Sequence, residues 1–256
     1  ISIADPIHIN LSNDVRNWES GDEITESILS ITPNVRGKLI IKNKHTLLFT
    51  PDENLESNTE YTVTIKLHDI YKNMPDGFGN YTFQFKTITP SFNVVTNSLQ
   101  SYSKEWQYLE GIIKSADIIT IEDAKKLVKA TQNGKKLSLI FNELNDNSKH
   151  FEFKVDSIHR MVDDSRILVK WNGKVIKADN EGEHSVSIPG RNHFTIVDTE
   201  VVQSPEQYLS LNFSDPLKKQ QNFDGLVTIQ KVKNPKYIVD GNVLKIYPDS
   251  KLVGNI

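Results

Sequence analysis

The chain has 256 residues, 37% of them hydrophobic and 25% charged, with a formal net charge of −3 and no cysteine. That length accommodates two or three domains of roughly 100 residues each, and the composition is too apolar for general disorder. Lys and Arg alternate with Asp and Glu and form no basic stripe, which argues against a nucleic-acid partner. The lack of cysteine excludes disulfides, thiol catalysis, thiolate metal sites and thioesters here, and no apolar run of about 20 residues offers a membrane span.

The start, Ile1-Ser2-Ile3-Ala4-Asp5, has neither the basic opening nor the apolar centre of a signal peptide, and its first residue is not methionine. The chain therefore reads as processed or cut from a longer one. Period-2 runs rich in Val, Ile, Thr, Phe and Tyr follow at residues 7–11, 28–32, 38–42, 47–50, 60–67 and 81–87. Tyr61, Val63, Ile65 and Leu67 alternate with Thr62, Thr64, Lys66 and His68, as in a strand with one packed and one wet face. Strands at this density predict an antiparallel immunoglobulin-like sandwich over residues 1–89.

Ile88-Thr89-Pro90-Ser91 forms a short joint, because proline holds its predecessor extended. The second unit, residues 90–203, carries strand signals at 92–96, 107–114, 136–141, 150–157, 167–171, 185–188 and 194–201. The polar stretch 142–149 and Asn172-Gly173 read as hairpin turns. One segment breaks the β rhythm: after Thr120 apolar residues recur at helical spacing, which predicts a short helix over 121–132. Thr120 and Asp123 form its capping box and Asn133-Gly134 its stop. A third unit, 204–256, shows strands at 208–213, 226–232, 237–239 and 243–247 and no counterpart of the 59–65 strand. It is expected to be a partial sandwich, the least ordered part, cut short near Gly254-Asn255-Ile256.

The start and the end echo each other. Pro6-Ile7-His8-Ile9-Asn10-Leu11-Ser12-Asn13-Asp14 corresponds to Tyr208-Leu209-Ser210-Leu211-Asn212-Phe213-Ser214-Asp215-Pro216, and the 40–51 segment to 238–248. Repeated β units point to an array whose use is scaffolding or binding rather than catalysis.

Motifs that would carry chemistry are sparse. His8, His45, His68, His150, His184 and His193 lie on separate strands or turns without metal-ligand spacing, and only His159 beside Arg160 stands out. A Gly-x-Ser-x-Gly elbow to anchor a serine triad is lacking. Asn145-Asp146-Asn147-Ser148 and Asp163-Asp164-Ser165 supply oxygen ligands of the kind calcium takes, yet both read as turns and neither matches the twelve-residue calcium loop. Neither cofactor nor metal is expected. Trp171 alternates with Val169 and Ile167 as a core residue, whereas Trp18 and Trp106 flank polar segments and are the candidate contacts for a glycan or partner.

Asp5-Pro6-Ile7-His8-Ile9-Asn10-Leu11-Ser12, Ile31-Thr32-Pro33-Asn34-Val35-Arg36-Gly37, Thr46-Leu47-Leu48-Phe49-Thr50-Pro51, Leu55-Glu56-Ser57-Asn58-Thr59-Glu60-Tyr61-Thr62-Val63 and Phe83-Gln84-Phe85-Lys86-Thr87 resemble the bacterial Ig-like domain that heads many large secreted proteins. Ser157-Ile158-His159-Arg160, Leu168-Val169-Lys170-Trp171-Asn172-Gly173-Lys174, Val186-Ser187-Ile188-Pro189-Gly190, Phe194 and Leu211-Asn212-Phe213-Ser214-Asp215-Pro216-Leu217 resemble the amino-terminal macroglobulin-like modules of bacterial alpha-2-macroglobulin family proteins. The resemblance implies an all-β string of tandem antiparallel sandwiches with one short helix. It further implies a non-enzymatic arm of an exported, lipid-anchored protease trap in the periplasm or at the cell surface. Its partners would be downstream macroglobulin domains of the same chain and, through the full-length protein, proteases. The family's Cys-x-Glu-Gln thioester has no counterpart here, and no bait region is identifiable, so no functional residue carries over. The alternative is an Ig-like surface adhesin or glycan-binding module.

Overall fold

The computed structural model describes every residue except 26, 72–74, 76, 145–147, 231 and 254–256. It is 47% strand and 6% helix, an all-β architecture of antiparallel sheets. The chain divides into two compact units, Ile1–Ser91 with Ser115–Ile119, and Phe92–Lys114 with Thr120–Ile256.

The first unit contains β1 (Ile7–Asn10), β2 (Leu29–Thr32), β3 (Gly37–Asn43), β4 (Thr46–Pro51), β5 (Glu60–Lys66), the single-turn helix α1 (Leu67–Ile70) and β6 (Asn80–Lys86). One sheet runs β1-β4-β3 and the other β2-β5-β6. Alternation sends Ile7, Ile9, Leu39, Ile41, Leu47 and Phe49 from one sheet, and Ile31, Tyr61, Val63 and Ile65 from the other, into one core. The hydroxyl of buried Tyr61 accepts from Glu56 N at 3.0 Å, a tyrosine tied back to upstream backbone as in immunoglobulin-like sandwiches. Residues 115–119 join this unit through Asp117, whose carboxylate accepts from Ser2 Oγ and from the amides of Ile3 at 2.8 Å and Ile118 at 2.9 Å. The strand expected over 60–67 ends one residue early, where Leu67 turns into α1.

The second unit opens with β7 (Phe92–Thr96), β8 (Gln100–Ser101), β9 (Trp106–Ser115), α2 (Ile121–Leu127), β10 (Val128–Gln132), β11 (Lys135–Lys136), β12 (Leu139–Glu143), β13 (His150–His159), β14 (Ser165–Asn172) and β15 (Glu181–Ile188). A four-stranded sheet, β11-β10-β14-β15, faces a five-stranded one, β12-β13-β9-β7 with β8 on β9. Buried Gln132 ties the two together, donating to His159 O at 2.6 Å and accepting from His159 N at 3.2 Å.

Several local expectations are corrected here. The helix ends at Leu127 rather than reaching residue 132, because Val128–Gln132 pairs along its whole length with β14. Thr120 does cap it, accepting from Asp123 N at 3.1 Å while donating to the Asp123 carboxylate at 2.9 Å. Asn133 and Gly134, at φ of 50° and 78°, form the β10–β11 hairpin turn and not a helix stop. The strand expected over 136–141 is two strands in different sheets. Asn172-Gly173 opens a 3₁₀ turn, Gly173–Ile176, capped by Asn172 Oδ1 on Lys174 N, in place of a tight hairpin.

The same unit closes with β16 (Ile196–Val202), β17 (Tyr208–Phe213), β18 (Lys236–Asp240) and β19 (Val243–Tyr247), in the order β16-β17-β19-β18. The strand signal near 194–201, read as the last of the second sandwich, pairs instead with β17. The strand expected over 226–232 includes residue 231, which lies outside the described residues, and the described ones form no strand; Val227 and Ile229 pack as coil, with Phe223, over the core of Leu211, Leu244 and Ile246.

The sequence echo is a structural repeat. Asn10 lies opposite Thr46 and Leu11 N donates to His45 O at 2.8 Å; Asn212 lies opposite Val243 and Phe213 N donates to Asn242 O at 2.8 Å. One turn further on, Val15 N bonds Lys44 O and Leu217 N bonds Gly241 O. Thus β17, β19 and β18 repeat β1, β4 and β3, two-residue hairpin turns included.

Candidate functional site

The most heavily bonded polar centre among the described residues of the second unit is built around Arg160. It follows β13 directly, and its amide donates to Glu105 O at 2.8 Å. Its side chain is fully buried. Nε donates to Pro189 O at 2.8 Å, Nη1 to Ser214 O at 3.1 Å and to the Asp215 carboxylate at 2.8 Å, and Nη2 to Gly190 O at 2.8 Å and His193 O at 2.7 Å. All five guanidinium donors are used, which is what a buried arginine requires. The hub ties the ends of β13, β15 and β17 into one body.

Ser214 O also accepts from Ser101 Oγ at 2.9 Å and Gln107 Nε2 at 3.1 Å, so the β8–β9 hairpin joins the same cluster. Beside it Asn242 accepts from Ser101 N at 3.1 Å and donates to Asn212 Oδ1 at 2.6 Å and Phe213 O at 2.8 Å, while Asn212 donates to Leu99 O at 2.8 Å. This arrangement positions strands, and Ser214 Oγ adds a bond to the Asp215 carboxylate at 2.7 Å.

Sequence reasoning placed His159-Arg160 as conspicuous but missed the hub. The signal lay in two quoted segments, Ser157–Arg160 and Leu211–Leu217, that meet through Arg160 and Asp215. The two tryptophans singled out sit in different compact units. Trp18 is half-buried and packs against the first core. Trp106 is 43% exposed at the start of β9, its ring 4.9 Å from that of His159. Trp171 is half-buried at the rim of its core, against Gly182 across the β14–β15 ladder. Exposed His45, His68 and His193 pair with Asp14, Asp69 and Asp164. Among the described residues no three His, Asp or Glu side chains converge as metal ligands. Asp163 is exposed, and Asp164 accepts from Gly190 N at 2.7 Å, a bond that holds its carboxyl below the ordinary value. Of the other oxygen-rich stretch, Asn145, Asp146 and Asn147 lie outside the described residues.

Next to Trp106, the rings of Tyr102 and Tyr108 meet at 4.5 Å, tilted by 34°, with Lys154 Nζ 4.8 Å and 4.1 Å from the two ring centres. The Tyr102 hydroxyl donates to Asp156 at 2.8 Å and is the main reason that the Asp156 carboxyl lies below its usual 3.8. A depressed carboxyl contributes stability that is present above the unfolded value and lost as pH falls through the folded one. Tyr102→Phe is therefore expected to lower the melting midpoint above pH about 4, the difference from the parent shrinking as the pH falls below that value. Melts across that range check it, and a pH-independent difference would assign the loss to packing alone.

Residues 1–87 match the bacterial Ig-like domain family, a match that ends just past β6. Domains of this kind are structural or surface-associated modules typical of extracellular bacterial proteins. No curated protein matches the chain. Among the described residues no helix is long and apolar enough to cross a membrane.

Proposed function

We propose that residues 1–256 are a non-enzymatic structural arm from the amino-terminal region of an exported bacterial alpha-2-macroglobulin-like protease trap. Capture chemistry resides outside this segment, and the full-length protein is lipid-anchored in the periplasm or at the cell surface. The observation that carries this reading is the joint. The segments Ser157–Arg160 and Leu211–Leu217, which resemble macroglobulin modules, meet in an ion pair between fully buried, fully bonded Arg160 and partly buried Asp215, downstream of an Ig-like module. A trap must transmit a rearrangement between modules, and a rigid multi-strand body is a suitable lever for it. The test is incubation of the native parent protein with trypsin. The expected result is protease that stays active on a small chromogenic peptide but loses activity on casein; undiminished casein cleavage would overturn the proposal.

Exposed Trp106 favours a second reading, glycan binding at the start of β9. A saturable fluorescence change on a glycan panel, lost in Trp106→Ala, supports that reading; no response removes it.

A further inference from the structure

The internal repeat exposes a difference at one sheet edge. In the β17 copy the outward-facing amides and carbonyls of Ser210 and Asn212 are paired by β16, with Glu200 opposite Ser210 and Asp198 opposite Asn212. In the β1 copy Leu11 bonds His45, so the alternation of an antiparallel ladder turns Ile7 and Ile9 toward β4 and leaves the backbone groups of His8 and Asn10 facing outward. Both residues are exposed, and among the described residues no strand pairs with this edge of β1. The edge borders a cleft of about 910 Å³ whose apolar lining includes Ile9, Leu11, Ile65, Leu67 and Tyr81. Tyr81 faces the core side of its sheet, opposite Ile65, yet remains 56% exposed. Among the described residues, neither the hydrogen-bonding edge nor the apolar groove carries the strand that the repeat has there.

We infer that β1 is an acceptor edge for an extended peptide segment that pairs with it antiparallel and carries apolar side chains at alternate positions. The repeat specifies the occupant's chemistry. In β16, Thr199 and Val201 lie opposite Leu211 and Leu209 on the same face of the sheet, both exposed, while Asp198 and Glu200 point the other way. A segment of that pattern on β1 places its apolar residues beside Ile9 and Ile7 toward the cleft, and sets an acidic residue opposite His8. Main-chain bonds supply affinity and the alternate pockets supply selectivity. An unpaired edge beside an apolar groove is otherwise a liability that folds cover or blunt with charge.

The probe is a synthetic peptide with the sequence Thr195-Ile196-Val197-Asp198-Thr199-Glu200-Val201-Val202-Gln203, added in excess to the isotope-labelled full chain. Slowed hydrogen exchange and saturable shifts at the His8 and Asn10 amides are expected. His8→Pro deletes only an outward-facing donor and leaves the β1–β4 bonds in place, so the fold persists while peptide binding weakens roughly tenfold or more. His8→Ala should retain binding. No protection at His8 and Asn10, protection mapping to another edge, or equal binding by His8→Pro overturns the inference. Self-association without peptide that His8→Pro abolishes would identify a second copy as the occupant and overturn it too.

Discussion

Arg160→Met is expected to destabilise the second compact unit by about 3–5 kcal/mol, the range for removing one member of a buried ion pair. The change keeps approximate volume but leaves Asp215 without its cation, and the carbonyls of Pro189, Gly190, His193 and Ser214 without a donor that all of them share. Ser214 O, Gly190 O and His193 O keep bonds from Ser101 Oγ and Gln107 Nε2, from His193 N and from Ser214 Oγ, so the penalty falls chiefly on Asp215 and Pro189 O, which lose their guanidinium partner. Arg160→Lys should recover only part of it, because a single ammonium cannot reach five acceptors arranged for a planar fork. Hydrogen exchange of the slowest amides in β9 and β17 measures the loss directly. Wild-type protection in Arg160→Met would mean that relaxation or water replaces the guanidinium, and the hub would not be what holds the joint.

The hub illustrates what a single sequence hides. Its five partners lie 29 to 55 positions away in the chain, at strand ends that periodicity does not register. Strands were legible where side chains alternate between a core and water, as in β1, β4, β5, β17 and β19, and the echo between two of these sets disclosed the repeat before any pairing was known. Misreadings arose where one pattern serves two periods. Leu127, Val128 and Ala130 suit a helical stripe, but Val128, Ala130 and Gln132 also alternate, and the ladder with β14 decides for the strand. Val227 and Ile229 alternate as well, yet coil suffices to place them over the last core, because β18 already occupies that edge of the sheet. Asn133-Gly134 marked a turn correctly and its context wrongly, since turn chemistry fixes dihedrals and not the elements on either side.

Asn242→Leu provides the sharper test of whether the repeat has been put to different use in its two copies. Asn242 is 2% exposed, and its amide is the acceptor for Ser101 N and a donor to Asn212 Oδ1 and Phe213 O. Leucine fills the space but strands a buried backbone donor and two acceptors, for an expected loss of about 3 kcal/mol. Because Asn212 and Asn242 bond directly, the double change to Leu should cost less than the sum of the single ones, with a coupling of about 0.5–3 kcal/mol. His45 holds the position equivalent to Asn242 in the first unit, where its exposed ring pairs with the exposed Asp14 at 3.4 Å. His45→Leu should therefore stay within about 0.5 kcal/mol of the parent. Urea titration followed by amide exchange in each unit separates the two outcomes. A large loss at Asn242 with none at His45 locates the energy in the bonds that tie the β8–β9 hairpin to the ends of β17 and β19; equal losses would locate it in the hairpin turn that both copies share.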